Sequence, residues 1–209
     1  GNQMSKKIRI GALNVGEYSF SPIWAEALIP HGTLDASLLN MEITHCWDVN
    51  PQLAAEFAAK YNCQPVDQYD AMLGQVDAIA FGGFYEIPWQ HLLARPYVEA
   101  GVPTYLSRPF AYRLCDLDEI LDLAAKHNTP LMATSVFEHF PHANILKSRL
   151  SDLGVIKSVY GNCCSNEYPA HFHIQFFLLK ALGYEPDQVS LLTDDERQCT
   201  YLQDTILFK

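Results

Sequence analysis

The pattern of hydrophobic and polar positions divides residues 7–135 into alternating strand-like and helix-like segments. Short apolar runs rich in β-branched side chains predict buried strands, and apolar positions three or four residues apart predict amphipathic helices. An alternation of this kind is typical of a mostly parallel sheet with helices on both faces. The predicted strands are 8–13, 41–47, 76–81, 102–106 and 130–134, and the predicted helices are 23–28, 51–61, 69–73, 89–100 and 117–127.

The pattern changes after residue 135. It predicts helices over 141–153 and 173–182 and strands over 155–164, 189–192 and 200–208. The alternation in 155–164 is typical of an open antiparallel sheet with one buried face. We therefore expect an α/β chain of two domains: a doubly wound parallel sheet in residues 5–135, then a partial α+β domain in 136–209 with an open, mainly antiparallel sheet.

The turn after the first strand is a degenerate version of the G-x-G-x-x-G fingerprint for dinucleotides, written here as Asn14-x-Gly16-x-x-Ser19. Asparagine is the residue after glycine that best tolerates positive φ, so Asn14 can make the tight turn. Gly16 keeps the position at which the backbone approaches a pyrophosphate, and Ser19 is small enough for close packing of helix on strand.

An acidic residue, Asp48, follows the second strand. The order of strand, turn, helix, strand and acid predicts a dinucleotide-binding unit of the Rossmann type. Asp48 lies farther from the turn than the usual spacing of about 20 residues, and we assign the extra length to a loop at 30–40. A βαβ crossover that binds no nucleotide remains an equally good interpretation of this turn.

Four candidate site residues each follow a predicted strand: Asn14, Asp48, Gly82 and Arg108. The carboxyl ends of parallel strands meet at one edge of the sheet, so one crevice can collect all four. Arg108 has an alternative role as the partner of an acidic surface. The position of Arg108 between a predicted strand and Pro109 favours a role in the crevice.

Composition and charge narrow the class of protein. The chain has 209 residues, 49% of them hydrophobic and 18% charged, which is typical of a globular protein. A net charge of −10 argues against nucleic acid as a partner.

No apolar run is long enough to span a membrane, and the first residues do not resemble a signal peptide, so we expect a cytoplasmic protein. The six cysteines show no C-x-x-C spacing, and we expect no metal site.

Several segments, in order along almost the whole chain, resemble the Gfo/Idh/MocA family of oxidoreductases, which includes glucose–fructose oxidoreductase and inositol dehydrogenase. The resemblance implies a Rossmann domain that binds NAD or NADP, and a second domain whose open sheet mediates oligomers. It also implies hydride transfer to or from a sugar, cyclitol or related polyol. The matching segments are 7–11, 47–51, 54–58, 76–78, 98–103, 107–111, 154–159, His173 and 178–183.

The resemblance also implies roles for individual residues. Asp48 matches the acidic ribose contact, and the next two residues supply no arginine for a 2′-phosphate, which favours NAD without excluding NADP. Arg108 and His173 match the two catalytic positions, the lysine of the Glu-Lys-Pro motif and the histidine near the substrate carbon. The expected cofactor-binding residues are Asn14, Val15, Gly16, Asp48, Gly82 and Ser107.

Some positions depart from the family pattern. The motif lysine is Arg108, its glutamate is Ser107, and the acidic partners of the histidine are Pro169 and Phe176. The chain also ends where family members continue, so the C-terminal domain is expected to be truncated. His173 could instead be a satisfied histidine on an apolar helix.

Two function classes follow from these observations. The first is an NAD(P)-dependent oxidoreductase acting on a small polyol or sugar. The second is a nucleotide- or sugar-binding relative with weak or lost catalysis, acting as a sensor or an oligomer partner. In both cases we expect a homo-oligomer, because the last predicted strand would expose the edge of its sheet.

Overall fold

The structure is a computed structural model that describes residues 6–16, 18–28, 40–156, 159, 168–183, 188–193 and 202–207. The chain divides into two compact units, residues 1–133 and 134–209. The first contains β1 (Ile8–Leu13), α1 (Ser21–Leu28), β2 (Met41–Trp47), α2 (Pro51–Tyr61), β3 (Gln64–Pro65), β4 (Ala78–Phe81), α3 (Gln90–Glu99), β5 (Thr104–Tyr105), α4 (Leu114–His127) and β6 (Leu131–Met132). The second contains α5 (Pro141–Arg149), α6 (Tyr168–Leu182), β7 (Gln188–Thr193) and β8 (Leu202–Leu207).

The first unit is built on a six-stranded sheet in the order β3-β2-β1-β4-β5-β6, with every pair of neighbours parallel. The chain moves outward from β1 to β3 and then returns to β4 on the other side of β1. The strand order therefore reverses between β1 and β4, which is the place where open α/β sheets bind ligands. The predicted doubly wound Rossmann fold is confirmed.

Two apolar clusters cover the two faces of this sheet. Neighbouring residues of β1 point to opposite faces, so Ala12 packs with α1 and α2 while Leu13 packs with α3 and α4. On the first face the buried residues are Ala12, Val15, Ala25, Cys46, Ala54, Phe57 and Ala58. The second and larger cluster contains Leu13, Met72, Val76, Ile79, Phe81, Ala94, Tyr97, Val98, Leu106, Ile120 and Ala124.

The predicted helix over 69–73 is wrong. This segment forms successive turns, in which Ala71 N–H donates to Gln68 O and Leu73 N–H donates to Asp70 O, each at 3.1 Å. The turns continue to Gln75 and include Gly74, whose φ of +75° suits glycine. Met72 is nevertheless fully buried. The apolar spacing of this segment therefore reflects the burial of a side chain in the core and not a helix.

Most other elements lie where the pattern predicts them. Asn50 caps α2 and Pro51 occupies its first position, as expected. The outer strands β5 and β6 are shorter than predicted, with two residues each, and the two-residue β3 is not predicted at all. Helix α4 begins at Leu114, three residues before its predicted start.

The second unit begins with a 3₁₀ turn, Val136–His139, followed by α5 and another 3₁₀ turn, Leu150–Leu153. Strands β7 and β8 form an antiparallel pair. The predicted strand over 155–164 lies mostly outside the described residues, as does the loop at 30–40. Within the described ranges, no helix combines the length and the apolar character needed to cross a bilayer.

We expect Gly11→Ala to destabilise the sheet. A Cβ atom on Gly11 in β1 would lie 2.7 Å from Ile79 Cδ1 and 2.8 Å from Met72 Sδ, which is closer than van der Waals contact. Overpacking of this kind costs about 1–3 kcal/mol of unfolding free energy. Urea denaturation measures the loss.

The matched control is Ile79→Val, which removes the clashing Cδ1 atom and costs about 0.5–1.5 kcal/mol alone. The double variant should be more stable than the sum of the two single losses predicts, by at least about 0.5 kcal/mol. Strict additivity would contradict the assigned contact.

Candidate functional site

The turn between β1 and α1 is held by serine hydroxyls. Asn14 adopts φ +60°, and its N–H donates to Trp47 O at 2.8 Å. The Asn14 carbonyl accepts from Ser19 Oγ at 2.5 Å and from Ser21 Oγ at 3.3 Å, while Ser19 Oγ accepts from Ser21 N–H at 3.0 Å. Asn14 therefore makes the positive-φ turn that replaces a glycine, and Ser19 satisfies the amide at the start of α1.

The carboxylate of Asp48 ties two loops together. One oxygen, Oδ2, accepts from the backbone N–H groups of Val15 and Gly16, both at 2.9 Å, and Oδ1 accepts from Asn50 N–H at 2.9 Å. Asp48 is only 5% exposed. The carboxylate thus holds the amides of the turn, which in a dinucleotide fingerprint face the pyrophosphate.

The end of β4 packs tightly against the same turn. Gly82 donates its N–H to Leu13 O and accepts from Phe20 N–H, both at 2.9 Å. A Cβ atom on Gly82 would overlap with the hydroxyls of Ser19 and Ser21. Gly82 is required here by the packing of strand against turn, and the next residue, Gly83, is the one that faces the open cleft.

Ser107 is fixed from within the fold. Its hydroxyl donates to Phe81 O at 3.1 Å, and its N–H donates to Gln90 Oε1 at 3.0 Å. Gln90 is fully buried, and its Nε2 donates to the carbonyls of Ser107, Pro109 and Phe110 at 2.8, 2.9 and 3.1 Å. This one side chain therefore holds the segment that carries Ser107 and Arg108.

Arg108 lies under aromatic rings. Its guanidinium carbon is 4.6 Å from the centre of the Phe20 ring and 5.7 Å from that of Phe84, and the residue is 5% exposed. Burial lowers the pKa of the guanidinium, and the neighbouring Tyr105 opposes this shift. Arginine still remains protonated in proteins, so Arg108 supplies a cation and not an acid or base. The peptide bond between Arg108 and Pro109 is cis.

An open cleft lies beside the turn. The rings of Tyr18 and Tyr85 meet edge to face at its side, with centres 5.5 Å apart. Neither the nitrogen nor the oxygen of the Asn14 side-chain amide has a hydrogen-bond partner among the described residues, although Asn14 is only 2% exposed. The cleft is lined by Asn14, Gly16, Tyr18, Ser19, Asp48, Gly83, Tyr85 and Glu86.

The electrostatics of this cleft are acidic. Both charged side chains in its lining, Asp48 and Glu86, are carboxylates. Burial raises the pKa of the Glu86 carboxyl, its own backbone N–H lowers it, and the charge of Asp48 raises it further. Glu86 therefore takes up a proton more readily than an exposed glutamate.

His173 lies on α6 in the second unit. Its ring stacks on Phe137 with centres 4.8 Å apart, and its Nδ1 is 2.5 Å from Ser135 Oγ. Ser135 is fully buried and also accepts from Phe137 N–H at 3.2 Å. The imidazole is therefore oriented by a hydroxyl and a phenyl ring, and not by an acidic residue of its own helix.

The structure brings together part of the predicted site. Asn14, Gly16 and Asp48 line the cleft, and Val15 is bonded to Asp48. Gly82, Ser107 and Arg108 are packed inside the first unit and are not among the lining residues described. In the described ranges, no three histidine, cysteine or acidic side chains form a group that could hold a metal ion.

Sequence analysis missed three residues of interest: Gln90, Glu86 and Ser135. Glu86 could have been found, because it follows the end of β4 at the predicted crevice. The other two act through contacts across the chain that no local pattern reveals.

Comparison with known proteins supports the fold. No protein-family model and no curated protein matches the chain. Among solved structures, GenD2 from gentamicin A biosynthesis, determined with NAD, has a TM-score of 0.72 at 13% identity over 96% of this chain and 61% of its own. An oxidoreductase from Agrobacterium radiobacter, determined with NAD⁺, L-tartaric acid and magnesium, has a TM-score of 0.71 at 14% identity over 93% and 60%.

A Gfo/Idh/MocA family oxidoreductase from Vibrio cholerae has a TM-score of 0.66 at 18% identity, over 96% of this chain and 68% of its own. The chain spans about three fifths of the length of GenD2, of the Agrobacterium radiobacter oxidoreductase and of a putative myo-inositol dehydrogenase from Sinorhizobium meliloti. The resemblance to Gfo/Idh/MocA oxidoreductases is confirmed at the level of the fold.

We expect Gln90→Leu to loosen the segment that carries Arg108. Leucine has a similar volume but leaves one N–H and three carbonyls without their partner. The loss of unfolding free energy should be about 3–4 kcal/mol, since each unsatisfied buried group costs about 1–3 kcal/mol and some will find water. Chemical denaturation measures it. The exposed control Gln52→Leu should change stability by less than about 0.5 kcal/mol.

Proposed function

We propose that the chain is an NAD(P)-dependent oxidoreductase that transfers hydride to or from a CH–OH group of a sugar, cyclitol or related polyol. The observation that carries this proposal is the buried side-chain amide of Asn14, which has no partner among the described residues and lines the cleft at the switch point of the sheet. A buried polar group without a partner is costly, so it fits a ligand that supplies the missing hydrogen bonds.

The residues of the cleft fit a nucleotide. Asp48 would accept the hydroxyls of the adenosine ribose, and Asn14 and Gly16 would lie against the pyrophosphate. Val49, which follows Asp48, is 71% exposed and offers no cation for a 2′-phosphate. We therefore propose NAD rather than NADP as the preferred cofactor. Structures with the same fold were determined with NAD, as in GenD2, and with NADP, as in a biliverdin reductase from Synechocystis.

The chemistry of the reaction needs a hydride carrier and a proton carrier. The nicotinamide cofactor, when bound, supplies or accepts the hydride. We assign the proton to His173, because its pKa in water lies close to neutrality. Ser135 Oγ engages Nδ1 of the ring, so proton exchange with a substrate hydroxyl would use Nε2. Arg108 stays cationic and can only orient or stabilise a charge.

A second candidate is a nucleotide-binding relative with slow or lost turnover. The observation that favours it is the cover of Phe20 and Phe84 over Arg108, because a side chain only 5% exposed is poorly placed to hold a substrate. Nucleotide binding is common to both candidates, and turnover separates them.

We expect NAD to bind more tightly than NADP. The carboxylate of Asp48 attracts ribose hydroxyls and repels a 2′-phosphate. Isothermal titration with both cofactors measures the preference. Val49→Arg should raise the affinity for NADP by about tenfold, since it places a cation next to Asp48, while Val49→Gln serves as the uncharged control. Equal or tighter binding of NADP to the wild type contradicts the preference, and no binding of either contradicts the site.

We expect the wild type to oxidise polyols slowly and Arg108→Lys to raise the rate, because a buried lysine can lose and regain a proton. His173→Ala should lower the remaining rate by about 10²–10⁴-fold, the usual contribution of general acid–base catalysis. NADH production on one polyol panel measures all variants. His142→Ala, an exposed histidine on α5, is the control and should leave the rate unchanged. Brisk wild-type turnover that survives His173→Ala would show that the chemistry belongs to other residues.

A further inference from the structure

The groups of the cleft have an unusual balance of hydrogen-bond donors and acceptors. A pyrophosphate offers only acceptors, so it needs donors, and the amides of a fingerprint turn usually provide them. Here the N–H groups of Val15 and Gly16 already donate to Asp48 Oδ2. The cleft therefore presents fewer donors to a phosphate than its turn suggests.

Glu86 adds a second carboxylate to the same cleft. The residue caps the 3₁₀ turn Ile87–Trp89, where Trp89 N–H donates to its carbonyl at 3.0 Å. A Cβ atom on Gly83 would overlap with the Glu86 carboxylate and would lie 2.8 Å from Asn14 Cβ. The absence of a side chain on Gly83 thus leaves space for the Glu86 carboxylate beside Asn14.

No cationic side chain stands among the described lining residues to balance these two carboxylates. The other ionisable side chains of the lining are the phenols of Tyr18 and Tyr85, and neither can supply a cation. Carboxylates accept hydrogen bonds from hydroxyl groups and repel phosphates, and the partnerless amide of Asn14 can both donate and accept. The cleft suits a ribose diol better than an anion.

We propose that Glu86 is a specificity-determining residue of the nucleotide cleft, which selects the uncharged ribose end of the ligand and weakens the hold on its phosphates. This inference rests on the proposed function, because it concerns the same site. Binding of a phosphate-bearing nucleotide then favours neutral Glu86, takes up a proton and strengthens as the pH falls. Adenosine has no phosphate, and its binding lacks this dependence.

The direction of this pH dependence follows from the linkage between proton binding at Glu86 and nucleotide binding. The pKa of Glu86 is already raised in the free protein, and an approaching phosphate raises it further. The affinity for NAD should therefore rise as the pH is lowered from about 8 to about 5, where the pyrophosphate diester keeps its charge. Asp48 is the other titratable acid in the lining of the cleft, and it accepts hydrogen bonds from three backbone N–H groups.

The test compares NAD and adenosine by titration calorimetry on the wild type, Glu86→Gln and the exposed control Glu56→Gln. Removing one unit of negative charge should strengthen NAD binding by about tenfold near pH 7 and abolish most of its pH dependence. Adenosine binding should not strengthen and should change by less than about twofold, because the amide oxygen of glutamine can still accept from a ribose hydroxyl. Glu56→Gln should match the wild type with both ligands. Thermal unfolding of each variant verifies that it is folded.

The outcomes separate the inference from the proposed function. If both ligands bind and Glu86→Gln leaves NAD binding and its pH dependence unchanged, the role of Glu86 is overturned and the nucleotide site stands. An equal gain for adenosine and NAD also overturns the role, since it would show a steric effect and not a charge effect. If neither ligand binds to the wild type, the proposed function falls together with the inference.

Discussion

The candidate site depends on one carboxylate that accepts three backbone hydrogen bonds. Asp48 lies at the end of β2. Its carboxylate oxygens accept hydrogen bonds from backbone N–H groups of the turn after β1 and of Asn50, which precedes α2. Hydrogen bonds to a charged acceptor are among the stronger ones, and this carboxylate is almost fully buried. Removing it would leave three amides without an acceptor in a site that depends on their positions. The geometry of the turn depends on this group, which also holds the backbone of Asn50, the cap of α2, and supplies one of the two carboxylates of the cleft.

The hydrogen bonds of Asp48 join separate loops, and contacts of this kind are harder to predict from the sequence than strands and helices. The sequence therefore predicted the fold better than the site. Strand and helix positions follow from apolar spacing, and the conformation of Asn14 follows from its tolerance of positive φ. The parallel sheet follows from the alternation of strands and helices, whereas the order of its six strands is a finding of the structure. The helix expected over 69–73 failed because the apolar spacing around Met72 reflected burial in the core, which spacing alone does not distinguish from a helix.

The details of the site could not be predicted, because they depend on contacts between residues far apart in the chain. Nothing near Gln90 in the sequence indicates that it bonds four backbone groups of a segment about seventeen residues away. The hydroxyl partner of His173 is 38 residues distant. Sequence analysis sought an acidic partner next to the histidine on its helix, whereas the structure provides Ser135 from the turn before α5.

The cleft and the surroundings of Arg108 differ in how well they are arranged to bind a ligand. In the cleft, a turn, a carboxylate and a buried amide lie together. The side-chain amide of Asn14 is buried without a partner in the described structure, which costs free energy. This arrangement is hard to explain without a ligand. Around Arg108, two aromatic rings cover the guanidinium, and the hydrogen bonds of Gln90 hold the backbone of the segment from within the fold. A site kept for turnover should retain a reactive group that is accessible to the substrate. The structure therefore argues more strongly for recognition of a nucleotide than for rapid chemistry on a second substrate, and the buried cation under Phe20 and Phe84 is where the two proposed functions differ.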